Sequence, residues 1–392
     1  MTRWLACLLL IATTASGSVA AAPTPQDICG WIEDAQASGD ATFTLGEADS
    51  SATLRFRPPG PDWRVAMIEI RDGEDRPLTQ VRVLPPCRPL EARRLVRDKD
   101  GRVDRIEVLT PDFTAVAAIE PQNPPLPLLT PGPGMALMAH VDTGVNYLLP
   151  ALQPHLATDS DGRPIGHDFW DDDDRPFDAD PRRNAFFPQH HGTTVFSVLA
   201  REAPDTGIAI YRFPAPDMCR FGDLIGHMAR LSVRIVSLSM GSNDRSDWTC
   251  FEAAATSNPQ MLFIVSAGND GRDLDSRPVY PAALPLANMV VVTSSDAFGR
   301  PGRGSNVGAA SVDLMVPAEQ VDVIDHRGAH AETGGTSYAV PRVAALAARF
   351  LKANPDADTT AIIDFLASRA IAAPGVALVY GWIPDPTDDF GF

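Results

Sequence analysis

The chain has 392 residues, and its 33 basic and 50 acidic side chains give a formal net charge of −17. This acidity argues against nonspecific binding of nucleic acids, because such binding needs cationic side chains that displace counterions from phosphates. With 44% hydrophobic and 21% charged residues the chain can bury a core, which excludes wholesale disorder, and its length favours two domains.

The N-terminal residues have the three-part layout of a secretory signal peptide. Arg3 precedes an apolar run over residues 4–12, and small residues follow as far as Ala20. The apolar run is well short of the roughly 20 residues that a spanning helix needs, so an uncleaved membrane anchor is the weaker alternative. We predict a signal peptide over residues 1–20 and an exported mature protein, periplasmic or extracellular, without membrane insertion.

Residues 22–120 contain short runs of β-forming residues separated by turn-forming residues, which predicts a small β-rich N-terminal domain. Two hairpins are predicted, one turning at residues 72–75 and one at residues 98–101. Residues 121–134 are rich in proline and glycine, which can continue neither a helix nor a central strand. This segment therefore predicts an extended linker and the domain boundary.

Four cysteines remain once the predicted signal peptide, which contains Cys7, is removed. An even number in an oxidising compartment favours disulfides, and four cysteines allow three pairings. Two precede the linker and two follow it, so the pairing that respects the domains joins Cys29 to Cys87 and Cys219 to Cys250. Four free buried thiols are the alternative. No CxxC pair is present, which argues against a thiolate zinc site.

From residue 135 to residue 385, apolar strands alternate with helical stretches, a pattern typical of a doubly wound, mainly parallel α/β sheet with helices on both faces. Sites in such folds form beyond the carboxyl ends of the strands. The predicted strands are residues 135–141, 207–213, 234–239, 261–266 and 289–293. The predicted helices are residues 193–201, 220–231, 247–257, 337–352 and 358–370.

Three segments at strand or helix ends carry side chains that can do chemistry. Asp142 ends a predicted strand and is followed by Thr143 and Gly144, as expected for a carboxylate at a turn. His191 precedes a predicted helix, and Ser337 opens another, where backbone N–H groups stabilise negative charge. Taken singly, these residues are a turn aspartate, a surface histidine and a capping serine. No HExxH or similar zinc spacing occurs, so metal catalysis is poorly supported.

In this order, and with these flanking residues, the three segments resemble the subtilisin-like serine proteases, which are the subtilase family or peptidase family S8. The resemblance covers roughly residues 134–383 and includes the segments D-T-G, H-G-T and G-T-S-x-A-x-P. The chain departs from the common pattern at four positions beside the histidine and the serine, and we expect these positions to shape packing rather than to donate or accept protons. They are Thr194, Ser197, Val198 and Tyr338.

The resemblance implies a serine endopeptidase that acts on protein or peptide substrates through an acyl-enzyme intermediate. Ser337 would attack the peptide carbonyl, His191 would take its proton, and Asp142 would orient the imidazole. The Asn269 side chain and the Ser337 backbone N–H would stabilise the oxyanion. A non-catalytic binding or chaperone module on the same fold is the alternative, and its sequence would lack one of these residues.

The resemblance also predicts a substrate-binding pocket that carries no charge and suits apolar residues. Its residues are Ser239, Met240, Gly241, Ser266, Ala267 and Gly268. The acidic run 171–174, with Asp178 and Asp180 nearby, is interpreted as a solvated loop, and a preference for basic substrate residues or structural calcium binding are the alternatives. Catalysis is expected to need no cofactor or metal. Residues 22–130 stand where subtilases often carry a propeptide, so they form either a removable intramolecular prodomain or a domain that stays attached.

Overall fold

The computed structural model describes residues 23–38, 42–45, 50–57, 60–130 and 138–392. The predicted signal peptide and residues 131–134 of the predicted linker lie outside these ranges. The described residues form two compact units that divide at Pro121, where the predicted linker begins. The tip of one hairpin, Arg97–Asp104, groups with the second unit.

The first unit is a helix packed against a seven-stranded sheet whose strands are neighbours in chain order. The pairs from β1 to β5 are antiparallel, and both predicted hairpin turns are present. In β3, Ala66, Ile68 and Ile70 are buried, and they share a core with Ile28 and Ile32 of the helix. The elements are α1 (Pro25–Ser38), β1 (Thr42–Leu45), β2 (Ser50–Arg57), β3 (Val65–Arg71), β4 (Pro77–Leu84), β5 (Arg88–Arg97), β6 (Val103–Leu109) and β7 (Val116–Pro121).

Helix α1 is absent from the sequence prediction, although its start has a signal in the sequence. The Thr24 backbone N–H donates to the Asp27 carboxylate (2.8 Å), and the Asp27 backbone N–H donates to Thr24 Oγ1 (3.2 Å). These reciprocal bonds form a capping box, with aspartate in the place that glutamate usually takes. The prediction of a purely β-rich N-terminal domain is therefore incomplete.

The second unit is built on an eight-stranded parallel sheet, which confirms the predicted α/β fold. The strand order is β17-β14-β13-β12-β11-β8-β10-β9, and β15 and β16 form a separate antiparallel pair. The strands are β8 (Met138–Asp142), β9 (Gly166–Asp168), β10 (Ile208–Arg212), β11 (Ile235–Leu238), β12 (Leu262–Ser266), β13 (Met289–Ser295), β14 (Leu314–Pro317), β15 (Val321–Ile324), β16 (His330–Thr333) and β17 (Gly381–Trp382).

Helices cover both faces of this sheet because its central strands are buried on both sides. Every residue of β8, β10 and β12 is buried, as near-continuous apolar runs predict for a parallel sheet. Side chains of α2, α5 and α6 belong to the core on one face, and those of α3 and α4 belong to the core on the other. The helices are α2 (Gly192–Glu202), α3 (Phe221–Arg230), α4 (Thr249–Thr256), α5 (Thr336–Ala353) and α6 (Thr359–Ser368).

Each strand and helix predicted for the second unit is present, with its described ends displaced by at most two residues. Strands β9 and β14 to β17 are not among the predicted ones, because runs of four residues or fewer are too short to show a period. Among the described residues, no helix is long and apolar enough to cross a membrane.

The cysteines lie in the pairs that the sequence predicts, each pair within one unit. The Cα atoms of Cys29 and Cys87 are 5.7 Å apart, and those of Cys219 and Cys250 are 4.9 Å apart. In both pairs the sulfur atoms are at bonding distance, so the protein has one disulfide in the β-rich unit and one in the α/β unit.

Candidate active site

Asp142 is the last residue of β8 and lies at the carboxyl end of the parallel sheet. Its side chain is buried, and its Oδ1 accepts a hydrogen bond from the Thr143 backbone N–H (2.7 Å). The chain turns directly afterwards at Gly144, which has a φ of +100° and lies so close to the Phe177 carbonyl that a Cβ would collide with it. Glycine is therefore required at this position to turn the chain behind the carboxylate.

His191 stands immediately before α2, and its ring meets the Asp142 carboxylate. The His191 Nδ1 atom lies 2.7 Å from Asp142 Oδ1. An ionised carboxylate can only accept a hydrogen bond, so Nδ1 carries the proton and Nε2 is the basic nitrogen. The histidine side chain is 34% exposed, whereas that of Asp142 is 3% exposed. The basic side of the imidazole is thus accessible while its partner is shielded from water.

The pKa of His191 reflects a balance between burial and neighbouring carboxylates. Burial disfavours the imidazolium, but the charge of Asp142 and its hydrogen bond favour it, and Asp178 and Asp180 add to this effect. The net result is a pKa raised above the usual value of 6.5. His191 is therefore a stronger base than a free histidine.

Thr143 links the end of β8 to the start of α2 through hydrogen bonds. Its Oγ1 accepts hydrogen bonds from the backbone N–H groups of His191 (3.2 Å) and Gly192 (2.8 Å). N–H groups at the start of a helix have no partner within the helix, so Thr143 satisfies both of them. A Cβ at Gly192 would collide with the Gly144 carbonyl, and glycine here lets the helix start approach the strand end.

Asp178, expected only as an acidic residue near the run 171–174, is a second buried carboxylate at this site. Its Oδ1 accepts from Thr143 Oγ1 (2.6 Å), and its Oδ2 accepts from the backbone N–H (2.9 Å) and Oγ1 (2.5 Å) of Thr193. Burial alone would raise its pKa, but His326, His190 and the Thr143 hydroxyl outweigh burial, and the pKa is lowered. In the sequence Asp178 is one of several nearby acidic residues, and only the fold distinguishes it.

His190, the residue before His191, stacks on His326. The two rings are 3.6 Å apart at an angle of 11°, and His190 Nδ1 donates to the Asp178 carbonyl (2.6 Å). Together with Asp178 these side chains place three groups of metal-ligating type within 4.8 Å of one another. Both carboxylate oxygens of Asp178 already accept hydrogen bonds from threonines, so we interpret the trio as support for the His191 segment.

Ser337 is the second residue of α5, and the residue before it orients Asn269. The backbone N–H and Oγ1 of Thr336 both donate to Asn269 Oδ1, at 3.0 and 3.2 Å. These two bonds fix the amide and leave Asn269 Nδ2 as a donor. The Ser337 backbone N–H belongs to the first helical turn and has no partner within the helix. Gly335, with a φ of +124°, makes the turn into the helix.

The predicted triad residues are brought together to different degrees. Asp142 and His191 are in direct contact, and the His191 ring lies 6.2 Å from the ring of Tyr338, which follows Ser337. Among the described residues, no hydrogen bond joins His191 Nε2 to Ser337 Oγ. In free enzymes, catalytic hydrogen bonds of this kind are often long and tighten when substrate binds.

Ser239 ties the first predicted substrate-binding segment to Ser337. Its Oγ donates to the Ser337 carbonyl at 2.9 Å. That carbonyl would normally accept the N–H four residues later, but this residue is Pro341, which has no N–H. The Ser239 hydroxyl therefore takes the place of a helical hydrogen bond.

A cleft of about 680 Å³ lies beside Asp142 and His191. Residues 239–241 line it, whereas residues 266–268 do not; instead, the Gly268 backbone N–H donates to Thr336 Oγ1 (3.2 Å). Besides Asp142, three charged side chains line this cleft. Its apolar walls include Phe213, Met218 and Trp248, and the charged side chains are Asp180, Arg182 and Asp247.

The acidic run 171–174 is held by arginines, a feature that the solvated-loop interpretation does not include. Three of its carboxylates lie within 3.0 Å of an arginine nitrogen. The pairs are Asp171 with Arg212, Asp172 with Arg220 and Asp173 with Arg175. The charge of the run is thus largely neutralised within the protein.

Comparison with known proteins gives a family match over most of the second unit. The sequence model described as the subtilase family matches residues 136–382. A thermophilic serine proteinase from Bacillus sp. (strain AK1) is 30% identical over 237 residues, which are 56% of this chain and 53% of that protein. The chain therefore spans about half the length of this curated relative.

Solved structures show the same fold at low identity. The epidermin leader peptide processing serine protease EpiP from Staphylococcus aureus has a TM-score of 0.52 and 17% identity, over 66% of this chain and 74% of that one. The nisin leader peptidase NisP from Lactococcus lactis has a TM-score of 0.50 and 16% identity, over 63% of this chain and 86% of that one. At these identities the likeness concerns the fold alone.

Proposed function

The chain belongs to the subtilase family, and from this premise we propose that it is an exported serine endopeptidase that hydrolyses peptide bonds in proteins or peptides. The observation that carries the proposal is the 2.7 Å contact between His191 Nδ1 and the buried Asp142 carboxylate. A carboxylate on one imidazole nitrogen leaves the other as a base, and a serine hydroxyl needs such a base to become a nucleophile. Export rests on the sequence of residues 1–20.

In the first half of the proposed reaction, Ser337 Oγ attacks the carbonyl carbon of the substrate. His191 Nε2 accepts the hydroxyl proton as the Oγ–C bond forms, and Asp142 stabilises the resulting imidazolium without being protonated. The tetrahedral intermediate then expels the amine, which takes the proton from His191, and an acyl-enzyme remains. In the second half, water attacks the ester with the same base, and the acid product leaves. Neither half uses a metal or a cofactor.

The proposed oxyanion donors are Asn269 Nδ2 and the Ser337 backbone N–H. The orientation of the Asn269 amide is fixed before substrate binds, because Thr336 donates two hydrogen bonds to its side-chain oxygen Oδ1. Donors fixed before the reaction stabilise the developing negative charge without reorganising. This role concerns the transition state, so it should appear in kcat rather than in KM.

Replacing Asn269 with alanine is expected to lower kcat about 10²- to 10³-fold with little change in KM, a magnitude taken from the asparagine donor of a subtilisin. Steady-state hydrolysis of a fluorogenic peptide measures both constants. Asp270→Ala, on the next and exposed residue, is the matched control and should retain the wild-type kcat. Equal kcat values for Asn269→Ala and wild type would remove Asn269 from the mechanism.

Covalent labelling tests the proposed function directly. A fluorophosphonate probe should label the folded protein once, and peptide mapping should find the label on Ser337, because only an activated serine reacts at a useful rate. Ser337→Ala should not be labelled, whereas Ser276→Ala, which changes an exposed serine, should be labelled like wild type. A folded protein without label on Ser337 would favour the alternative of a non-catalytic binding or chaperone module.

A further inference from the structure

Two of the positions at which this chain departs from the common family pattern contact each other. Thr194 lies in α2, three residues after His191, and Tyr338 lies in α5, one residue after Ser337. The Thr194 Oγ1 and Tyr338 hydroxyl oxygens are 3.1 Å apart. Besides shaping packing, as expected from the sequence, these two positions form a hydrogen bond between the two helices.

The direction of this hydrogen bond follows from the proton count. Thr194 has one hydroxyl proton, and its Oγ1 donates that proton to the His191 carbonyl at 2.7 Å. Between the two hydroxyls, Tyr338 must therefore be the donor and Thr194 the acceptor. The result is a continuous chain of donors that runs from the Tyr338 hydroxyl through Thr194 to the backbone of His191.

His191 is thereby held at three points. Its N–H donates to Thr143 (3.2 Å), its ring is bound by Asp142 (2.7 Å), and its carbonyl accepts from Thr194 (2.7 Å). The first two contacts come from the strand side of the site. Only the third leads to α5, the helix that begins with the serine segment.

We infer that Tyr338 and Thr194 are positioning residues, which fix the base His191 relative to the nucleophile Ser337 through one hydrogen bond between α2 and α5. The inference rests on the proposed function. Tyr338 is 8% exposed, so water competes little for its hydroxyl, and a hydrogen bond in such surroundings holds its geometry well. Small displacements of a catalytic base slow proton transfer strongly, whereas they affect ground-state binding much less.

The test is a double-mutant cycle on kinetics. Tyr338→Phe keeps the ring and removes the donor, and Thr194→Val keeps the shape and removes the acceptor. Each is expected to lower kcat about 3- to 10-fold with KM unchanged. The double variant should be no slower than Thr194→Val alone, because that change already removes the contact with Tyr338 together with the hydrogen bond to the His191 carbonyl. Thr194→Ser, which keeps the hydroxyl, should retain the wild-type kcat.

A matched control separates positioning from general loss of stability. Tyr211→Phe also removes a tyrosine hydroxyl, which bonds His227 Nδ1 at 2.9 Å in the core on the opposite face of the sheet. It should leave kcat unchanged even if it lowers the melting temperature. Thermal melting of every variant shows whether a kinetic loss follows unfolding.

The outcomes are distinct. Additive kcat losses in the double variant, a slow Thr194→Ser variant, or an unchanged Tyr338→Phe variant would overturn the positioning role while leaving the proposed function intact. A wild-type protein that neither hydrolyses peptides nor reacts with a fluorophosphonate would overturn both. If Tyr338→Phe fails to fold, the comparison of Thr194→Val with Thr194→Ser tests the Thr194 hydroxyl, which accepts from Tyr338 and donates to the His191 carbonyl.

Discussion

Replacing Ser337 with alanine is expected to lower kcat about 10⁶-fold and to leave KM nearly unchanged, the magnitude found for the corresponding serine of a subtilisin. The alanine variant lacks the nucleophile but keeps the cleft and the oxyanion donors, so some activity above the uncatalysed rate in water should remain. Hydrolysis of a fluorogenic peptide at high enzyme concentration measures this residual activity. Ser276→Ala is the matched control, since it changes an exposed serine elsewhere in the same unit.

His191→Ala should cost about as much as Ser337→Ala, and the double variant should cost no more than either single variant. The reason is that the serine hydroxyl attacks the substrate only when the histidine accepts its proton, so removing either side chain abolishes the same step. Losses that multiply in the double variant would mean that the two side chains act independently, which the proposed mechanism does not allow.

The Ser337→Ala variant also decides the fate of residues 22–130. If this segment is a prodomain that the protein removes itself, intact mass spectrometry should find it attached in the variant and absent from the wild type. If it is a domain that stays attached, the masses of the variant and the wild type should differ only by the one oxygen atom that serine has and alanine lacks. The first unit has its own core and disulfide, so both outcomes are compatible with its fold.

Replacing Asp142 with asparagine is expected to lower kcat about 10⁴-fold. Asparagine has nearly the same shape, but its amide does not stabilise an imidazolium and can donate to Nδ1, which would place the imidazole proton on Nε2. The base would then be unable to accept the serine proton. Peptide hydrolysis measures the loss, and Asp270→Asn, an exposed carboxylate outside the site, should behave like wild type.

The pH profile separates this effect from a loss of structure. In the wild type, His191 must be neutral to act, so kcat/KM should fall as the pH drops through its raised pKa, and the acidic limb should lie above pH 6.5. In Asp142→Asn the carboxylate is gone while burial remains, so the limb should move to lower pH. An acidic limb at the same pH in both proteins would show that it does not report the His191–Asp142 pair.

The fold and the triad segments could be predicted because their signals are local. A buried parallel strand such as β8 is a near-continuous apolar run, and Gly144 and Gly192 are needed because backbone approaches them closely. Helix α1 also has a local signal, the capping box of Thr24 and Asp27.

The other features of the site could not be predicted, because they depend on contacts between segments that are distant in the sequence. Asp178 matters because Thr143 and Thr193 donate to it, and nothing beside Asp178 in the sequence indicates either bond. Similarly, Tyr338 and Thr194 are 144 positions apart, and each one alone looks like a packing substitution. The charged side chains of the cleft, Asp180, Arg182 and Asp247, come from separate segments that converge only in the folded chain, so the sequence does not indicate that they line one cleft.

Pro341 also determines which group binds the Ser337 carbonyl. Since it withholds the N–H that would bond the Ser337 carbonyl, the main chain of the serine is tethered to Ser239 in the cleft wall instead of to the next turn of its own helix. A displacement of residues 239–241 would therefore be transmitted directly to the Ser337 backbone, and the proline secures this link by keeping a competing donor out of α5.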